Sequence, residues 1–167
     1  MIQELLQTDG DYIYLFLRVV AGIVIFPYGM QKLFGWFDSP IDMKGFAGML
    51  GGMPVLSATT WAYMAAVGEF GGGLLVLIGL LTRLATVPIL VTMFVAIGKF
   101  LGPVGFSNPK VGQAGQFPGY EFNLALVAMA TALLLAGPGL ISIDALLFKR
   151  GLWGRGPQPL DQPGKRS

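Results

Sequence analysis

A chain of 167 residues that is 54% hydrophobic and 12% charged carries about half the charge of a soluble domain, where roughly 25% is usual. With a mean hydropathy of +0.67 and several apolar runs near bilayer length, it reads as one integral membrane domain. The absence of Cys excludes thiol–disulfide exchange, thiolate metal sites and cysteine-held iron–sulfur clusters within the chain, and the absence of His removes the usual haem and transition-metal ligand.

Any redox role is therefore expected to run through a partner or an organic cofactor, with none held covalently or through a metal. The acidic start MIQELLQTDGD lacks the basic region of a signal peptide, so the first apolar segment is expected to stay as an anchor. The first span is predicted over 12–34. Arg18, Gly22, Ile25, Gly29 and Lys32 follow one another at spacings of 4, 3, 4 and 3, which puts them on one helix face. That face is small in its middle and cationic at both ends, and Tyr28, Gln31 and Lys32 gather at its far end.

Residues 35–60 are too polar and broken to span. Ser39-Pro40-Ile41-Asp42 has the order of a helix start, with Ser at N-cap and Pro in the first turn. Met43, Phe46, Ala47 and Leu50 then form a short apolar stripe that Gly51-Gly52 and Pro54 end. An interfacial or shallow re-entrant helix is expected, either resting on the bundle as a connector or covering a pocket.

The second span, 60–81, carries Glu69 near its middle beside Gly68, Gly71, Gly72 and Gly73. A carboxylate at that depth is costly unless it is paired, protonated or turned to a wet interior. The glycines allow another helix to come close enough to build one. After a turn at Thr82-Arg83, the third span is predicted over 84–101, with Pro88 near its start and Lys99 at its other end. Residues 102–119 form a long polar connection. The fourth span, 120–141, opens on Glu121 and Asn123. Glu121, Ala125, Ala128, Ala132 and Ala136 would give it a small-residue face for close packing.

The chain leaves the membrane through Ser142-Ile143-Asp144. The single domain is placed at 1–153, followed by a disordered basic tail at 154–167. Arg83 and the tail charges put both termini on the cytoplasmic side, against which Lys32, Lys44, Lys99 and Lys110 count. The fold class is all-α: an integral membrane four-helix bundle with a short extra interfacial helix in the first outer loop.

Several of these pieces together resemble the DoxX family of small four-span membrane proteins. They are Arg18 with the run from Phe26 to Gly35, then Gly68-Glu69-Phe70-Gly71-Gly72-Gly73-Leu74-Leu75 through Gly79-Leu80-Leu81-Thr82-Arg83. Met93, Ala96 and the segment from Gly137 to Asp144 complete the match. One departure is Tyr28, where relatives often show His, so His-dependent chemistry of the family does not carry over. The resemblance implies association with quinone-linked respiratory or sulfur-oxidising complexes and membrane oxidoreductase assemblies. Fold follows from it more firmly than activity.

The polar residues admit two readings. In the plainer one, Glu69 pairs with Arg18 or Lys32 only to hold helices in register, Arg18 snorkels, Lys99 anchors at the interface, and Glu121 sits favourably at a helix start. In the sharper one, Arg18, Tyr28, Gln31, Lys32, Glu69, Lys99 and Glu121 supply a ligand site. Lys or Gln would donate to a quinone carbonyl, Glu69 would move a proton, and Phe26, Phe70 and Trp61 would pack the ring. The methionines read as packing.

The expected function is an accessory or anchoring subunit of a quinone-linked oxidoreductase complex in a bacterial or archaeal inner membrane. It would cross that membrane several times and contact partner chains or its own copies, without nucleic acid. The alternative is a stand-alone membrane enzyme or carrier for a lipid-soluble molecule, with Glu69 and Glu121 as its catalytic, proton-transferring pair. A transporter is weaker, because no internal repeat is evident.

Overall fold

In a computed structural model, residues 10–36, 43–110, 118–139 and 141–149 are described. All regular structure among them is helical: α1 (Gly10–Phe34), α2 (Met43–Met49), α3 (Ala58–Ile78), α4 (Thr82–Ala96), α5 (Glu121–Ala136) and α6 (Ile143–Lys149). α4 runs on through a single π turn, Ile97–Leu101, and a short 3-10 turn, Gly102–Val104. The stretches Tyr12–Phe34, Ala58–Ile78 and Thr82–Val104 are long and apolar enough to cross a membrane, and α5 is a shorter apolar helix of 16 residues. The membrane bundle and its extra short helix are therefore as expected. The start of that short helix at Ser39–Asp42 and the basic tail lie outside the described residues.

The long helices form a ring in the order α1, α3, α4, α5, with α1 and α3 the most intimately packed pair. The reason is in the glycines. A methyl group added at Gly22 or Gly73 would come within 2.7 Å of the facing helix, and one at Gly29 would fall inside the Phe70 backbone. Small residues let backbones touch where lipid offers no hydrophobic drive to association. Gly29→Ala is accordingly expected to force α1 off α3. A loss of about 1–3 kcal/mol is typical of overpacking, and thermal unfolding in detergent would measure it. An unchanged midpoint would show that the contact is looser than drawn.

Between the helices lies a core of Ala21, Ile25, Val76, Ile89, Leu126 and Leu133, among others. The packed face of α5 is thus Leu126, Ala130 and Leu133. The face expected to pack closely does not: Ala125, Ala128 and Ala136 are exposed. In a lipid-facing helix both sides are apolar, so small residues alone do not say which side turns inward.

Two helix ends also differ from expectation. α3 stops at Ile78, because Gly79 takes a left-handed conformation (φ 72°) and closes the last turn onto Leu75 and Val76. α5 stops at Ala136, where Gly137 (φ 94°) turns the chain out.

The chain does not simply leave the membrane at Ser142-Ile143-Asp144. Ser142 receives the Ala145 N–H and starts α6, while Asp144 reaches across to the α3–α4 turn. Leu81, in the left-handed region at φ 49°, offers no side-chain cap to α4. Asp144 supplies it instead, accepting from the Leu81 N–H at 2.8 Å, the Thr82 N–H at 3.0 Å and the Thr82 hydroxyl at 3.2 Å. The Arg18 guanidinium, buried nearby, donates to the Ile141 carbonyl at 2.9 Å and lies within electrostatic reach of Asp144. Gly79 leaves it room: any side chain there would overlap Arg18 and Ser142.

Candidate functional site

Arg18 and Lys32 stand 14 positions apart on one face of α1, about 21 Å along a helix, so they serve opposite ends of the bundle. At the Arg18 end the polar groups form the capping cluster just described. At the Lys32 end they form something different. Lys32 Nζ donates to both carboxylate oxygens of Glu69 at 2.6 Å, and the Glu69 side chain is only 2% exposed. Charge-assisted bonds this short are among the strong ones, and they answer the cost of holding a carboxylate at mid-helix. The same ammonium lies 4.5 Å from the centre of the Phe46 ring on α2, a cation–π contact that ties the short helix to the ion pair.

The pair forms one wall of a cavity of about 510 Å³, within the size range of small-molecule sites. Tyr28, Thr92 and Asn123 are its other polar lining residues, and the remainder is apolar. Asn123 also donates to the Met93 sulfur at 3.2 Å, and the Thr92 hydroxyl donates to the Pro88 carbonyl at 2.8 Å. α2 roofs the space with Phe46 and Met49, followed by Leu50 and Met53, and packs through Ala47 and Leu50 against Ala62 and Trp61 of α3. Phe100 and Leu101 from the π turn close its far side, a place where such turns recur at functional sites.

Of the residues expected at a site, Tyr28, Lys32 and Glu69 converge on this cavity. Arg18 belongs to the opposite end, and Gln31 does not line the space. Lys99 donates to the Gly51 carbonyl at 3.0 Å, pinning the end of α2. Glu121 begins α5 outside the cavity lining, with one oxygen 3.3 Å from the Ser107 hydroxyl and the other buried without a partner. The two carboxylates thus have separate surroundings.

Phe26 and Phe70 pack on each other with ring centres 5.2 Å apart, away from the cavity, whereas Trp61 does line it. Sequence reasoning missed Asn123 and Thr92 as lining groups. In the sequence Asn123 stands out only as a polar residue opening an apolar run. Among the described residues no group of three or more His, Cys, Asp or Glu side chains gathers in one place.

The DoxX family profile matches residues 13–104, which take in all but the first three residues of α1, the whole of α2 to α4 and both partners of the ion pair. The chain belongs to the DoxX family. A DoxX-type relative, "Uncharacterized membrane protein Rv3486" of Mycobacterium tuberculosis, is 34% identical over 151 residues, covering 88% of each chain. Another, "Putative oxidoreductase CatD" of Bacillus subtilis, is 32% identical over 135 residues, covering 81% of this chain and 87% of the relative. No solved structure matches this DoxX chain significantly.

Proposed function

We propose that this DoxX protein is an accessory or anchoring subunit of a quinone-linked oxidoreductase complex, and that the cavity at the Lys32 end receives the quinone ring. The observation that carries this reading is the cavity itself, an apolar chamber with one charged wall. A flat, lipid-soluble ring with two carbonyls fits that chemistry. Lys32 and the Asn123 amide can donate to a carbonyl oxygen, Glu69 holds Lys32 in place, and the aromatic and methionine walls pack the ring faces. The name of the Bacillus relative points to redox chemistry in the same direction. Residence in a bacterial or archaeal inner membrane with both termini cytoplasmic belongs to the same proposal, supported by Arg83 at the α3–α4 turn and the basic tail.

A solitary enzyme using Glu69 and Glu121 as a proton-transfer pair has less support, since Glu121 faces Ser107 rather than the cavity. Trp61 provides the test, because it lines the space and quinones quench indole fluorescence. With Trp36 and Trp153 replaced by Phe, a short-chain benzoquinone should quench Trp61 saturably in the reconstituted protein. Replacing Lys32 by Met together with Glu69 by Gln should weaken that binding tenfold or more. Unsaturable quenching that ignores the double substitution would sink the quinone niche. A native-membrane extract free of stoichiometric oxidoreductase chains would sink the subunit role.

A further inference from the structure

The cavity is one continuous space with two unlike parts. Its inner part holds Lys32, Glu69 and Asn123. Its outer part is a crevice between α3 and α4, walled by Met64 and Ala65 on one side and Val87, Pro88 and Val91 on the other. Met64, Val87 and Val91 are 54%, 45% and 51% exposed, so the same side chains face the cavity and the surroundings of the bundle.

The shape has a cause. Gly72 brings α3 so close to α4 that an added methyl would lie 2.8 Å from the Ala85 carbonyl, and one at Gly68 would lie 3.1 Å from Pro88. The helices therefore touch at the Arg18 end. They part beyond Gly68, where Ala65, Thr92 and Val95 all border open space. The crevice is a wedge with its point at Gly68 and its depth ending beside Glu69.

The α1–α5 side also carries exposed lining residues, Tyr28 at 45% and Phe122 at 42%, but there two rings face each other and one bears a hydroxyl. Tyr28 and Phe122 set their rings 6.1 Å apart between α1 and α5. The roof is α2, held by Lys32 against Phe46 and by Lys99 on the Gly51 carbonyl. A ligand arriving from water would meet no polar group along the wedge, for its walls are uncharged and the Thr92 hydroxyl donates to Pro88. An apolar chain would find a slot open to the acyl region of a bilayer.

We infer that the α3–α4 wedge is a tail channel: the ligand is an amphiphile whose ring-sized polar head lies against Lys32 and Glu69 and whose long apolar tail passes between Met64 and Val91 into the bilayer. The inference rests on the ring-binding reading above and extends it to the ligand's second half. Gly68, Met64 and Val91 become the residues that select for a tail. The ligand is thereby one that lives in the membrane and enters sideways.

The test compares two probes on the chain in lipid nanodiscs, read by Trp61 in the background lacking Trp36 and Trp153. One is a benzoquinone bearing a ten-carbon tail; the other is the same ring without it. At equal mole fraction in the bilayer the tailed probe should bind at least tenfold tighter. Val91→Phe should weaken its equilibrium binding tenfold or more and leave the affinity of the tailless ring unchanged, and Met64→Phe should act in the same way. Leu84→Phe, at an exposed position off the wedge, should alter neither probe. Equal binding of both probes, or equal effects of Val91→Phe and Leu84→Phe, overturns the tail channel while the ring site stands. If neither probe quenches Trp61 saturably, the ring site fails and the channel with it.

Discussion

Replacing Lys32 by Met should cost the folded protein about 3–5 kcal/mol, the usual penalty for stripping a buried charge of its partner, and replacing Glu69 by Gln should cost distinctly less. The asymmetry comes from burial. The Glu69 side chain is 2% exposed and that of Lys32 22%. Without the ammonium, the carboxylate has no route to water. Without the carboxylate, the lysine can swing its four-carbon stem outward and keep its head solvated. The double substitution should cost clearly less than the two single losses added together, because no charge is then stranded. A coupling of about 2 kcal/mol lies within the range seen for residues in direct contact. Unfolding midpoints of the four proteins in one detergent measure it. Strictly additive losses would show that the pair does not hold α1 to α3.

Asp144→Ala is expected to be the most damaging change at the other end, by about 3 kcal/mol. It strands the Leu81 and Thr82 N–H groups and the Thr82 hydroxyl, each an orphan worth roughly 1–3 kcal/mol when buried. It also removes the carboxylate nearest to Arg18, two of whose nitrogens already lack partners. Asp144→Asn should fall between, since one carbonyl oxygen remains to accept while the charge is gone. Chemical unfolding of the purified proteins would order the three. A change within 0.5 kcal/mol for Asp144→Ala, the usual range of neutral surface substitutions, would remove the capping role.

The spans were legible because nothing but bilayer length explains such apolar runs. The Arg18–Lys32 face of α1 was legible because helical spacing alone aligns it, and the cost of a mid-span carboxylate singled out Glu69. What escaped was rotational phase. Lys99, Gln31 and Glu121 sit at the same level as Lys32 along their helices, which the spans implied. Whether they point into one space depends on how each helix is turned about its axis, and uniformly apolar surroundings leave no amphipathic signal to say. The choice of packed face on α5 was lost in the same way. Asp144 escaped for another reason: its partner Leu81 lies 63 residues earlier, and no local pattern announces a cap supplied from so far along the chain.

That borrowed cap has a consequence for how the protein is made. The Arg18–Ile141 bond spans 123 residues and the Asp144 cap 63, so both form only after all four long helices have been synthesised. Until the ribosome has passed Asp144, the α3–α4 turn holds a left-handed leucine and bare amides, and Arg18 lacks its acceptor. Loop closure over such separations is slow to be rewarded. The segment thus acts as a latch on a bundle whose long helices precede it in the chain, and a nascent chain truncated before it carries four unanswered donors: the Leu81 and Thr82 N–H groups, the Thr82 hydroxyl and the Arg18 guanidinium.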